Sequence, residues 1–94
     1  MKVYLEKPIS SEHREVLATW LANTINESRK YFEASKPNPQ KDDFWNVDRG
    51  NDIKVKFFDD EPNMIEVIHR YQDTNAITGL SYWLAYGWNG EVIQ

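Results

Sequence analysis

The sequence predicts an α+β fold in which an N-terminal strand and one long amphipathic helix precede an antiparallel meander of three to five strands packed on the helix. Apolar residues recur at three- and four-residue steps over about residues 11–35, which is the period of a helix with one buried face. Apolar and polar residues alternate over residues 2–6 and 53–57, which is the period of a strand with one buried face. Pro, Gly, Asn and Asp cluster between these segments and indicate turns.

The predicted helix has start and stop signals. Ser10 or Ser11 can cap its first turn, which carries Glu12 and Glu15 near the positive end of the helix dipole. The two prolines in residues 36–39 end it, because proline cannot continue a helix. The apolar stripe between these signals consists of Leu17, Trp20, Leu21, Thr24, Ile25, Ser28, Tyr31 and Phe32. We expect this stripe to pack against the sheet.

Short strands and turns follow the helix. Residues 44–47 favour a short strand, and residues 53–71 favour a hairpin that turns at residues 59–63. Residues 48–52 have turn chemistry, and their oxygen-rich, glycine-containing composition is similar to that of a calcium loop. They lack the regular ligand spacing and the final bidentate Glu of such a loop. We therefore expect a turn here, and no metal site.

The segment from residue 75 to residue 88 is compatible with a strand or a helix. Its many aromatic residues favour a strand, and Gly79 and Gly87 disfavour a helix. The helix alternative rests on apolar residues at helical spacing, namely Ile77, Leu80, Leu84 and Trp88. We predict a strand over residues 80–88, followed by a tight hairpin at residues 89–90.

Composition restricts the class of protein. A chain of 94 residues fits one domain over residues 1–94. Its net charge of −4 argues against nucleic-acid binding, which needs a basic surface. The absence of cysteine favours a reducing compartment, and no apolar stretch is long enough to span a bilayer. We expect a cytoplasmic protein that binds neither nucleic acid nor membrane.

No motif predicts catalysis. The sequence contains no glycine-rich phosphate loop, no metal-ligand spacing of Cys and His, and no nucleophile elbow. Its only histidines are His13 and His69, and a lone histidine on a strand is usually structural. An enzyme that uses His69 with Glu66 or Asp73 is therefore the third of three functional interpretations, after the two binding functions given below. We expect no catalytic residue, no cofactor and no metal.

The aromatic residues, 14% of the chain, are the main compositional anomaly. As a strand, the C-terminal segment would place Tyr82, Tyr86 and Trp88 on one face. Trp83 and Ala85 would occupy the other face. One helix can cover only one face of the sheet, so the second face should present aromatic side chains to solvent, a ligand or another chain.

These observations predict a small, acidic, non-catalytic protein that docks on a partner protein, with the general profile of inhibitors and immunity proteins. The predicted binding surface combines Tyr82, Trp83, Tyr86, Trp88, Asp59, Asp60 and Glu61. We also expect a homodimer through the aromatic residues, because closed two-fold dimers are the commonest oligomers. The alternative function is a small-ligand or nucleotide-binding module in which Trp83 or Trp88 stacks on a ring.

Both parts of this surface also have an interpretation without function. Acidic residues in turns are usually solvated, and they keep sheet edges from aggregating. Partly exposed aromatic residues are common on protein surfaces. The sequence leaves these interpretations open beside the binding surface.

Overall fold

A computed structural model describes residues 1–28, 38–39, 44–48, 50 and 52–93. These residues form two helices and six strands in the order β1 (Lys2–Leu5), α1 (Ser11–Ser28), β2 (Asn38–Pro39), β3 (Phe44–Asn46), β4 (Ile53–Phe57), β5 (Met64–His69), α2 (Thr74–Trp88) and β6 (Gly90–Ile93). The strands form one antiparallel sheet in the order β2-β3-β4-β5-β1-β6. The predicted α+β class with an antiparallel sheet is confirmed.

The sheet combines a meander with strands from both ends of the described chain. Strands β2 to β5 are consecutive neighbours, whereas β1 pairs with β5 on one side and with β6 on the other. The predicted hairpin at residues 89–90 is wrong. Asn89 instead ends α2 in the left-handed conformation, with φ of 52°, and Gly90 begins β6.

Alternate residues along the central strands are buried and share one face of the sheet. The register places Val3 beside Ile65 and Val55 beside Val67, so the buried positions of β1, β4 and β5 lie in rows. The buried set on this face consists of Val3, Leu5, Ile53, Val55, Phe57, Ile65 and Val67. The strands predicted near residues 2–6, 44–47 and 53–57 and the predicted hairpin over residues 53–71 are confirmed.

Helix α1 packs on this face through its predicted stripe. Leu17, Leu21 and Ile25 are buried in the same cluster as the sheet residues. Ser10, just before the helix, lies with its hydroxyl oxygen 2.6 Å from Nδ1 of His13. The predicted continuation of the helix to about residue 35, with Tyr31 and Phe32, falls outside the described residues.

Helix α2 is the main departure from the predicted fold. Residues 74–88 are helical, so the predicted strand over residues 80–88 is wrong, and the described chain has two long helices instead of one. Leu84 and Ala85 face the sheet, and the buried hydroxyl of Ser81 donates to the Ile77 carbonyl at 2.7 Å. The helical spacing of its apolar residues therefore prevails over the β-propensity of its aromatic residues.

Asp73 caps α2, and its removal should destabilise the protein. Its side chain accepts a hydrogen bond from the Ala76 N–H at 3.2 Å. We expect Asp73→Ala to lower the free energy of unfolding by about 0.5–2 kcal/mol, since the N–H would lose this partner. Urea denaturation measures the change. Asp60→Ala, in an exposed turn, should change the same quantity by less than about 0.5 kcal/mol, and an equal loss in both variants would contradict the capping role.

Both helices lie on the same face of the sheet, because their buried residues belong to one cluster with the strand residues. The opposite face carries charged side chains together with apolar ones, among them Phe44, Met64 and Ile68. There the register aligns Lys56, Glu66 and Lys2 on adjacent strands, with opposite charges as neighbours. The uncovered sheet face is therefore mixed in character. The prediction that it presents the C-terminal aromatic residues is wrong, because residues 74–88 form a helix on the other face.

Within the described residues, neither helix is both long enough and apolar enough to cross a membrane.

Candidate functional site

A cluster of aromatic side chains lies where the two helices meet. Trp20 of α1 stacks on Trp83 of α2, with ring centroids 6.1 Å apart and ring planes 8° apart. Trp88 meets Trp20 edge-on at 6.2 Å, and Tyr86 stacks on Trp83 at 5.9 Å. The indole N–H of Trp83 donates to Thr24 Oγ1 at 2.9 Å, and the Thr24 hydroxyl donates to the Trp20 carbonyl at 3.1 Å. Ring contacts and hydrogen bonds together hold the cluster in one arrangement.

Gly87 allows this cluster to form. A Cβ atom at this position would lie 2.4 Å from Cζ2 of Trp20, a separation that real Cβ atoms essentially never show. The indole therefore rests directly on the backbone of α2. At Gly79, by contrast, an added Cβ would meet no atom within 4 Å. Gly79 and Gly87 both disfavoured a helix in the sequence, but within α2 their surroundings differ.

The outward surface of α2 carries a stripe of exposed residues, which we call the α2 aromatic stripe. Its members are spaced three or four residues apart and so share one helix face. Tyr82 is 49% exposed, Trp83 is 45% exposed and Tyr86 is 81% exposed. The stripe consists of Asn75, Gly79, Tyr82, Trp83 and Tyr86, all classed as exposed.

This surface has no charged side chain. Residues 74–90 contain no Asp, Glu, Lys, Arg or His, although charged residues make up 28% of the chain. On the neighbouring outer surface of α1, Val16, Thr19 and Asn23 are also exposed and uncharged. Residues 16–25 of α1 contain no charged residue, so the outer surface of this part of the helix layer is uncharged.

The acidic part of the predicted binding surface lies at another place. Asp59 accepts a hydrogen bond from Nη2 of Arg14 at 2.6 Å, which joins the β4–β5 turn to α1. Glu61 accepts a hydrogen bond from the Tyr4 hydroxyl at 2.6 Å, and this bond raises the pKa of that hydroxyl above its ordinary value. Asp60 is exposed in the same turn. Asp59 and Glu61 thus contact α1 and β1, so the predicted surface separates into two parts.

Because residues 74–88 form a helix, the aromatic residues lie on other faces than predicted. Trp83 was expected on the face opposite Tyr86, but the two rings stack on the outside of α2. Trp88 was expected beside Tyr82 and Tyr86, but it is half-buried against Trp20. Trp20 was assigned to the core alone, and its role as the support of Trp83 was missed. The signal for that role in the sequence was Gly87, a glycine among apolar residues at helical spacing.

A cleft of about 350 Å³ lies beside the aromatic cluster. Trp88, Pro8 and Ile9 line its apolar side. Lys7 and His13 line its polar side. The volume is at the lower end of the range for ligand sites, and the cleft is the place where a small ring could stack on Trp88.

His69 has a local structural role. Its Nδ1 accepts hydrogen bonds from the backbone N–H groups of Tyr71 at 3.1 Å and Asp73 at 3.4 Å. The Asp73 carboxylate is engaged in capping α2. Glu66 lies on the opposite face of the sheet, since alternate strand residues point to opposite faces. These contacts build the β5–α2 connection.

Asp48, the first residue of the oxygen-rich segment, also has a structural role. Asp48 is buried, and its Oδ1 accepts a hydrogen bond from the Ile53 backbone N–H at 2.8 Å, which closes the β3–β4 turn. Among the residues that the structure describes, no group of three or more His, Cys, Asp or Glu could hold a metal ion.

The helix layer is therefore the candidate functional site. It combines exposed aromatic rings, a fixed arrangement of those rings and, over α2, an absence of charge. No protein-family model, curated protein or solved structure gives a significant match to this chain.

Proposed function

We propose that the protein is a small, non-catalytic binding protein that docks on a partner protein through the α2 aromatic stripe. The observation that carries this proposal is the pairing of three exposed aromatic residues with a helix that has no charge. The centres of protein interfaces are enriched in Tyr and Trp and depleted in charged residues. A solvated helix with no binding role usually carries charges on its outer face.

The arrangement of the rings supports docking with little reorganisation. Trp83 is held by its stacking on Trp20 and by its hydrogen bond to Thr24. Tyr86 in turn stacks on Trp83. Side chains that are already ordered lose less conformational entropy on binding, and tyrosine has only two rotatable torsions to restrict. The stripe is thus a preformed surface.

The mode of docking that suits this surface is contact through a helix face. Residues at steps of three and four along a helix are the anchors by which such a face enters a groove or meets another helix. Gly79, Tyr82 and Tyr86 have these steps. Binding of this kind needs no catalytic group, and it is the mode by which an inhibitor or an immunity protein could act.

Photocrosslinking in the native host tests this proposal. A photoreactive phenylalanine analogue that replaces Tyr86 should give a discrete protein adduct, because this side chain belongs to the proposed surface and is 81% exposed. The matched variant replaces Tyr4, an exposed tyrosine on the uncovered face of the sheet, and should give no such adduct. Mass spectrometry of the adducts identifies the partner. No adduct at position 86, or the same adduct from both positions, would overturn the proposal.

A further inference from the structure

We infer that the occupant of the α2 aromatic stripe is a second copy of this chain, paired antiparallel through α2 about a two-fold axis. The inference rests on the proposed function, because it uses the same surface. Its first support is spacing. Asn75, Gly79, Tyr82 and Tyr86 follow one another at steps of four, three and four residues. This is the step pattern with which two helices meet along a common seam.

The second support is that the stripe contains both a position without a side chain, Gly79, which we call its depression, and the side chains that could fill it. At Gly79 the surface of α2 is open, since an added Cβ would meet no atom within 4 Å. Tyr82, three residues later, is a large exposed ring. An antiparallel axis between positions 80 and 81 places Gly79 of one copy opposite Tyr82 of the second. The same axis places Asn75 opposite Tyr86.

This pairing makes the surface complementary to itself, as a two-fold interface requires. Each tyrosine ring meets a glycine or an amide instead of another ring. The symmetry forms each contact twice, so one well-packed pair counts double in the dimer. A foreign partner would need to supply its own complement to the depression, whereas a second copy already has it.

The third support is electrostatic. Each copy has a net charge of −4, so contact through charged surfaces would bring like charges together. Like charges opposed across an interface cost several kcal/mol. The stripe has no charge, and neither have Val16, Thr19 and Asn23 on the adjacent surface of α1. The α2 aromatic stripe is therefore a described surface on which two copies can meet without this repulsion.

Light scattering over a hundredfold range of protein concentration tests the inference. The unmodified protein should pass from monomer to dimer as concentration rises. Gly79→Leu should weaken the dimer at least tenfold, because the new side chain fills the depression that receives Tyr82 of the second copy. The fold of the monomer should persist, because position 79 is open within the chain. Tyr86→Lys should weaken the dimer similarly by placing a charge in the seam.

Tyr4→Lys is the matched control, since it makes the same change on the opposite face of the sheet. A dimer that resists Gly79→Leu or dissociates in Tyr4→Lys would place the interface elsewhere and overturn the inference. A monomer at every concentration would also overturn it. In that case, a crosslinked adduct of another protein at position 86 would leave the proposed function standing, whereas the absence of any adduct would remove both.

Discussion

Leu21→Ala is expected to lower the free energy of unfolding by about 2–5 kcal/mol, the usual range for truncating a large apolar side chain in a packed core. Leu21 is fully buried, with 0% of its surface exposed, and it lies in the cluster that joins α1 to the sheet. Removal of its isobutyl group loses hydrophobic contacts and leaves a cavity. Domains of this size are stable by only about 5–15 kcal/mol, so the loss is a large part of the total.

Urea denaturation monitored by circular dichroism measures this effect, and Glu15→Ala is its control. Glu15 lies on the exposed side of the same helix, so its replacement should change the free energy of unfolding by less than about 0.5 kcal/mol. The contrast between the two variants tests which face of α1 is packed. Similar losses in both would show that Leu21 does not lie in a tight core.

Gly87→Ala is expected to destabilise the protein by about 1–3 kcal/mol, as overpacking of a well-packed region does. The new Cβ would lie 2.4 Å from Cζ2 of Trp20. Trp20 cannot simply move away, because it stacks on Trp83 and contacts Trp88 edge-on. Helix propensity alone predicts the opposite sign, since alanine is favoured over glycine in a helix by about 1 kcal/mol. The sign of the change therefore shows whether packing or propensity prevails.

Gly79→Ala is the matched control, because it makes the same substitution on the same helix at a position with no atom within 4 Å of the added Cβ. We expect a gain of about 0.5–1 kcal/mol from helix propensity. Thermal denaturation in dilute solution gives both values. Near-ultraviolet circular dichroism should change in Gly87→Ala alone, because only that variant displaces a tryptophan. A gain in both variants would mean that Trp20 does not rest on α2.

Residues 74–88 illustrate why the secondary structure of a short apolar run is hard to predict from sequence. Aromatic residues favour strands because they fit a half-buried pleated surface, and that tendency depends on the neighbours they find. Here the neighbours are α1 and the sheet, which together bury Leu84 and Ala85 at helical spacing. Asp73 then satisfies an N–H group at the start of the helix. The helical spacing was visible in the sequence, but β-propensity and two glycines outweighed it.

The candidate site was predictable in part. Exposure of some of the C-terminal aromatic residues was expected from the excess of aromatic residues over the available core, and Tyr82, Trp83 and Tyr86 are exposed. The faces on which they lie were not, because a strand alternates its side chains and a helix groups them. The acidic residues of the β4–β5 turn were assigned to the same binding surface from composition alone. Their positions depend on Arg14 and Tyr4, which are distant in sequence.

The sequence by itself determined the α+β class, the helix from Ser11, the buried alternation of β1 and β4 and the hairpin of β4 and β5. These features follow from local periodicity and turn chemistry, which depend on residues that are close together in sequence. Only the tertiary structure decided that α2 is helical, that β6 pairs with β1 and that Trp20 rests on Gly87. Each of these depends on contact between segments at opposite ends of the chain. Such contacts prevail because a buried interface stabilises more than the small differences in local propensity that oppose it.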